Sequence, residues 1–265
     1  MPSGFQLALK QAEAYEASTS VFMDGSARLL ANGAAIGADD TVLDLACGTG
    51  LVARHVASIL GSSGRLVGVD INAAMLELAR RSVDLNVEWV EAPCDALPFD
   101  DRTFSHVICQ QGFQFFPDAV AAMSEAARVS RTGGVLIATV WATPGQNPYI
   151  ENQLELLAVL DPALAESVQR ATPPHADEFL RSAATAAGYA SADITLLEHT
   201  VSIPDFEPWF LAQTAGTPWG PALAVLNDAE RNEVASEMSV RMSEYATLDG
   251  GYSIPFRSYR LEARI

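Results

Sequence analysis

Val42-Leu43-Asp44-Leu45-Ala46-Cys47-Gly48-Thr49-Gly50 is the stretch on which the fold turns. Thr41–Ala46 reads as a buried strand, and Leu51–Leu60 as the helix that follows. Glycine at 48 and 50 lets a ligand approach the backbone with no Cβ in the way. The helix start beyond them offers free N–H groups. Asp70 closes the next strand, Arg65–Asp70, and an acid placed there grips ribose hydroxyls.

The alternation continues outward. Ala73–Ser82 reads as a helix and Val87–Glu91 as a third strand. Phe104–Cys109 is a fourth strand and Pro117–Val129 a helix with Pro117 in its first turn. A Gly133-Gly134 turn leads into a fifth strand, Val135–Trp141. Short strands separated by helices imply βαβ units, hence a parallel sheet covered on both faces. Ahead of the sheet, two helices are expected over Phe5–Ala17 and Val21–Ile36. After it, a proline-containing stretch Ala142–Pro174 with one helix near Ile150–Leu160 leads to a helix over Asp177–Ala187 ended by Gly188. Ile194–Ile203 reads as a strand, Phe206–Thr214 and Asp228–Tyr245 as helices, and Tyr252–Ile265 as a last strand.

The composition narrows the function. The chain has 265 residues, with 33 acidic against 16 basic side chains and a net charge of −17. Such a chain has no general attraction to nucleic acid or anionic lipid. No apolar run reaches membrane-spanning length, and Met1–Phe5 lacks the basic start of a secretion signal. Cys47, Cys94 and Cys109 show no zinc spacing, and their odd count argues against a disulfide framework. Reduced thiols in a cytoplasmic protein are the expectation.

Two readings of the glycine loop compete. Gly48-x-Gly50-x-x-Ala53 fits a nicotinamide fingerprint. Yet Asp44 inside the first strand and Asp95 in Cys94-Asp95-Ala96-Leu97-Pro98-Phe99 add two further acids, with no Lys or Arg beside them. Three acids suit a ligand with a positive charge, a ribose and an adenine. With VGVDIN (67–72), CDALPF (94–99), FSHVICQQGFQFFPD (104–118) and GGVLIATVW (133–141), the chain resembles the class I S-adenosylmethionine-dependent methyltransferases. It is most similar to their small-molecule branch, which includes the ubiquinone and menaquinone methyltransferases. Ala46 stands where that family's loop has its first glycine.

The resemblance implies a Rossmann-like α/β fold: a seven-stranded, mostly parallel sheet with helices on both faces and a helical cap. Its expected divisions are a lid (1–36), a cofactor-binding core (37–142) and a cap that adds substrate elements and the last strands (143–265). The cofactor implied is S-adenosyl-L-methionine. Asp44 and the backbone of Ala46 and Gly48 would hold its methionine amino end, with the Cys109 carbonyl and Gln110 beside the methionine part and Cys47 and Gly50 as further cofactor contacts. Asp70 would take the ribose, and Ile71 and Met75 would flank the adenine. Asp95 and the Ala96 N–H would read the adenine edge, and Tyr15 would close over the whole.

The fourth strand runs on into Gln110-Gln111-Gly112-Phe113, where amino methyltransferases of nucleic acid or protein carry Asn-Pro-Pro-Tyr, and it shows no metal-ligating Asp. The function expected is metal-independent methylation of an oxygen or carbon of a small apolar or aromatic metabolite, in the manner of secondary metabolism. The alternative is a cofactor-binding relative that cyclises or decarboxylates. Gln111, Phe115, Trp141 and Trp209 are the expected substrate wall, and His175, after Pro173-Pro174, the candidate base. Partners are a small molecule and no nucleic acid or membrane; a homodimer is left open.

Overall fold

The computed structural model describes residues 7–83, 86–169, 172, 174–215, 217 and 219–265. In chain order the elements are α1 (Leu9–Asn32), β1 (Thr41–Leu45), α2 (Leu51–Ala57), β2 (Arg65–Asp70), α3 (Ala73–Ser82), β3 (Glu88–Glu91) and β4 (Phe104–Gln110). Then come α4 (Ala119–Val129), β5 (Ser130–Trp141), α5 (Pro148–Leu160), α6 (Pro162–Gln169), α7 (Ala176–Ala186) and β6 (Ser191–Ile203). Helices α8 (Phe206–Ala215), α9 (Gly220–Ala224) and α10 (Asp228–Arg241) precede the last strand, β7 (Tyr252–Arg264).

One seven-stranded sheet has the order β3-β2-β1-β4-β5-β7-β6. Strands β1 to β5 pair in parallel, and β7 enters antiparallel between β5 and β6. The expected fold is therefore present, and the antiparallel β7 sets aside a dinucleotide fold of two parallel halves. The strand order reverses between β1 and β4, and a ligand crevice opens at the carboxyl ends of strands at such a point. Alternate residues of the central strands feed two cores. Val42, Ile108 and Ile137 face α1, α2, α5, α8 and α10, whereas Leu43, Val107 and Leu136 face α4 and α7. None of the described helices is long and apolar enough to cross a membrane.

Several boundaries differ from the sequence reading. The two expected N-terminal helices are one, α1; the expected start at Phe5 lies outside the described residues. Ser18-Thr19-Ser20 does not break it: Ser18 and Thr19 are buried on its inner face, and the Ser18 hydroxyl donates to the Ala14 carbonyl at 2.7 Å rather than capping a new helix. Pro117 lies outside α4, whose cap is Asp118, its carboxylate accepting from Ala121 N–H at 2.9 Å. Gly133-Gly134 does not separate a turn from a strand: β5 begins at Ser130, and Gly133 with φ 77° sits in an irregular stretch of the strand. The cap carries a helix, α6, that the proline count hid, capped by Asp161 through Leu164 N–H at 3.0 Å.

Packing at the crevice floor is tight. A Cβ at Gly68 in β2 would stand 2.4 Å from Trp89 Cζ3 and 3.2 Å from Cys47 Sγ. Gly68→Ala should cost roughly 1–3 kcal/mol through overpacking, read as a lower midpoint in thermal denaturation. Combining it with Trp89→Leu should recover much of the loss; an additive double mutant would show that the Trp89 clash is not the cause.

Candidate active site

A cavity of about 470 Å³ opens at the carboxyl ends of β1, β2 and β4. The residues that form it arrive by separate local devices. Ala46 and Gly48 take left-handed φ values of 55° and 53°, turning the chain out of β1 toward α2. A Cβ at Gly48 would meet nothing within 4 Å, so that side of the loop is open to a ligand. Gly50 is different. It caps α2 at φ 85°, and its Cβ would reach within 2.9 Å of Trp89 and 3.0 Å of Val83. Its glycine is required by packing, and it does not line the cavity, correcting the expected ligand contact.

Asp70, at the end of β2, accepts the Gly48 N–H on Oδ2 and the Asn72 N–H on Oδ1, both at 2.8 Å. Those two bonds aim the carboxylate and leave it with further acceptor capacity. Burial raises its pKa above the usual carboxylate range, opposed by the N–H groups of Asn72, Gly48 and Ile71. Asn72 caps α3 by accepting from Ala74 N–H at 3.0 Å, which places Met75 at the cavity.

Asp44 lies in β1 and is 1% exposed. Its Oδ2 is buried with no hydrogen-bond partner. Burial pushes its pKa up to about 8, helped by the charge of Asp70 and opposed by the Ala53 N–H. Buried polar atoms are rarely left unpaired, because desolvation is then uncompensated. An ammonium group would supply both the missing bond and the counter-charge. The three acids and the open glycine loop thus fit S-adenosylmethionine, which Asp44 would hold by its amino group, Asp70 by its ribose and Asp95 by its adenine.

Tyr15, Ala46, Cys47, Ile71, Asp95 and Gln110 also line the cavity, as do Gln111, Phe115 and Trp141. Burial and the charges of Asp70 and Glu16 raise the Tyr15 hydroxyl to about 12, so it stays protonated. Other expectations fail. The carbonyl of Cys109 was the expected contact, but Cys109 does not line the cavity; the residue is fully buried, its side chain among the α4 core residues. Ala96 donates its N–H to the Pro93 carbonyl at 3.4 Å and does not line the cavity. Trp209 packs its ring on Phe22, Tyr149 and Phe206, in the cap core rather than in the cavity wall. His175 is exposed at the start of α7 and is no candidate base for this cavity.

Thr19, Met23 and Thr217 are wall residues that the sequence reading missed. Tyr15, Thr19 and Met23 stand four residues apart on one face of α1. That spacing was readable, but only along an unbroken helix. Thr217 comes from the loop between α8 and α9 and carries no sequence signal.

A family model described as a methyltransferase domain matches residues 42–134. The ubiquinone/menaquinone biosynthesis C-methyltransferase UbiE of Hahella chejuensis is 35% identical over 121 residues, 44% of this chain and 48% of that protein. Among solved structures, phosphoethanolamine N-methyltransferase 2 of Haemonchus contortus in complex with S-adenosyl-L-methionine aligns with a TM-score of 0.62 and 16% identity. That alignment covers 97% of this chain and 57% of the other. The [4+2]-cyclase SpnF aligns with a TM-score of 0.55 and 18% identity, over 91% and 81%. At such identities the two structures establish the fold alone. Residues 42–134 thus match a methyltransferase domain, and the fold around them is the one these structures share. The chain spans about half the length of the curated relatives it matches.

Two outcomes test the acid assignments. With its folded pKa raised, Asp44 stabilises the ligand-free protein below about pH 4, and that contribution is lost as pH rises through about 8. At pH 6.5 the carboxyl is protonated, so binding an ammonium ligand should expel a proton. Calorimetric titration with S-adenosylhomocysteine should then give heats that vary with buffer ionisation enthalpy, and Asp44→Asn should abolish the variation. Asp70→Ala should weaken S-adenosylhomocysteine by about 3 kcal/mol or more, since two charge-assisted bonds are lost. Asp95 is exposed, and Asp95→Ala should cost only about 1–2 kcal/mol; equal losses would defeat the ribose assignment.

Proposed function

We propose that the protein transfers the methyl group of S-adenosylmethionine to an oxygen or carbon of a small, apolar or aromatic metabolite. The observation that carries this is the unpartnered Oδ2 of Asp44, near the Asp70 carboxylate, a pair suited to an amino group and a ribose. When bound, S-adenosylmethionine supplies a methyl group already activated on a sulfonium, so the reaction asks the protein for alignment and exclusion of water. It needs no metal and no covalent intermediate.

The chain's own residues meet those demands in order. Asp44 and Asp70 would hold the cofactor at two points, its amino group and its ribose. Tyr15, Thr19 and Met23 on α1 roof the cavity and shield it from water. The first turns of α1 serve as the cover: Ala12 and Tyr15 rest on Met75 and Leu78 in a small cluster of their own, whereas residues from Phe22 to Ala34 belong to the main core. Met23, Phe115 and Trp141 present apolar surface to the acceptor.

Incubation with S-adenosylmethionine and a panel of hydroxylated aromatic and polyketide-like acceptors should release S-adenosylhomocysteine together with an acceptor heavier by one methylene. Conversion of an acceptor without S-adenosylhomocysteine would instead favour a cyclising or decarboxylating enzyme on the same fold. Binding of NADH with no response to S-adenosylmethionine would remove both readings.

A further inference from the structure

Just past β4 the chain passes through Gln111 at φ 54°, in the left-handed region that favours glycine or asparagine. The bend is not relieved by its neighbour: a Cβ at Gly112 would stand 2.6 Å from Cys109 Sγ and 3.1 Å from Ala46 Cβ. Strain of this kind persists where the surroundings over-determine it, and here they do. The Gln111 N–H donates to the Thr139 carbonyl at 2.9 Å. Its side chain is held at both ends of the amide: Nε2 donates to Ser258 Oγ on β7 at 2.8 Å, and Oε1 accepts from Gln114 Nε2 at 2.8 Å.

The amide is thus fixed, 8% exposed and part of the cavity wall. The two bonds use one amide hydrogen and one oxygen lone pair, and a carboxamide has one more of each. On the wall contributed by α1, Thr19 Oγ1 is buried without a partner. The charged residues among the described lining are Asp44, Asp70 and Asp95, all at the cofactor end, with no Lys, Arg or His among them. An anionic acceptor would meet carboxylates and no counter-charge.

Building on the methyl-transfer reading above, we propose that Gln111 orients the methyl acceptor and selects an uncharged aromatic molecule bearing a hydroxyl or carbonyl oxygen. That oxygen takes the second amide hydrogen of Gln111, while Phe115 and Trp141 hold the ring. The αL bend of a non-glycine residue is what carries the amide to this place.

The test uses three probes of one shape: 2-naphthol, naphthalene and 2-naphthoate. Each is titrated at pH 7 into the full chain, with and without saturating S-adenosylhomocysteine, and read by tryptophan fluorescence, since Trp141 is in the wall. 2-Naphthol is expected to bind about tenfold or more tighter than either of the others. Gln111→Gly relaxes the bend and removes the amide, and should bring 2-naphthol and naphthalene to within about twofold of each other. Ser258→Ala, which releases one end of the amide, should give an intermediate ratio and serves if the first variant fails to fold. An unchanged ratio in the variants, 2-naphthoate binding as tightly as 2-naphthol, or no binding of any probe overturns the proposal. A ratio that holds while S-adenosylhomocysteine fails to bind would instead sink the methyl-transfer reading and leave the Gln111 assignment standing.

Discussion

Asp44 carries a carboxylate into the central strand of the sheet, where the fold hides one of its oxygens from water and offers it no donor. A protein bears such a cost, about 1–3 kcal/mol for an unsatisfied buried group, when a ligand later removes it. The surrounding features follow from placing that group at the point where the strand order reverses. The strand must end abruptly beside it, which Ala46 and Gly48 accomplish with left-handed backbone. The next strand must end level with it, and Asp70 does so, tied to the glycine loop through the Gly48 N–H. Burial and the charge of Asp70 raise the proton affinity of Asp44, and a cation beside the two acids reverses that effect.

The same crevice is closed from above by α1, and the attachments of this helix are graded along its length. Near its start, Glu16 accepts from the Thr49 hydroxyl and from Arg54 Nη2 at 2.6 Å, linking the roof to the glycine loop. Further along, Gln110 Nε2 donates to Ser26 Oγ at 2.7 Å and His199 Nε2 meets the Phe22 carbonyl at 2.7 Å. The far half is core: Ala27 and Leu30 are wholly buried. A helix anchored this way can fray from its first turns without losing its seat. The ion pair at Glu16 is partly exposed, so solvent weakens it relative to the apolar contacts below.

The thiols show how the site treats its own nucleophiles. Cys47 and Cys94 both line the cavity. Burial, then the carboxylates of Asp44 and Asp70, hold the Cys47 thiol well above its ordinary pKa, and burial with Asp95 raises Cys94 to about 12. A thiol, unlike a thiolate, is a poor nucleophile. The acids that suit a cationic ligand therefore also keep the neighbouring sulfurs unreactive toward an electrophile.

The order of strands β1 to β5, the class of fold, and the acids at 44, 70 and 95 were all legible from residue order, because each depends on local patterning. A strand, a glycine turn and an acid at a strand end are neighbours in sequence. The cavity wall was legible only in part. Gly50 looked like a ligand contact because glycine pairs suggest phosphate or ribose loops, yet Trp89 and Val83, far along the chain, are what demand it. Trp209 looked like a wall and is cap core, and His175 looked like a base and faces solvent, since a side chain's surroundings are set by elements that sequence does not place. Thr19 and Met23 were hidden by an expected helix break at Ser18–Ser20, where burial of Ser18 and Thr19 against the rest of the fold keeps the helix continuous. The amide of Gln111 is oriented by Ser258, 147 residues away. Pairing across that separation belongs to the antiparallel entry of β7 beside β5, and only the tertiary structure could supply it.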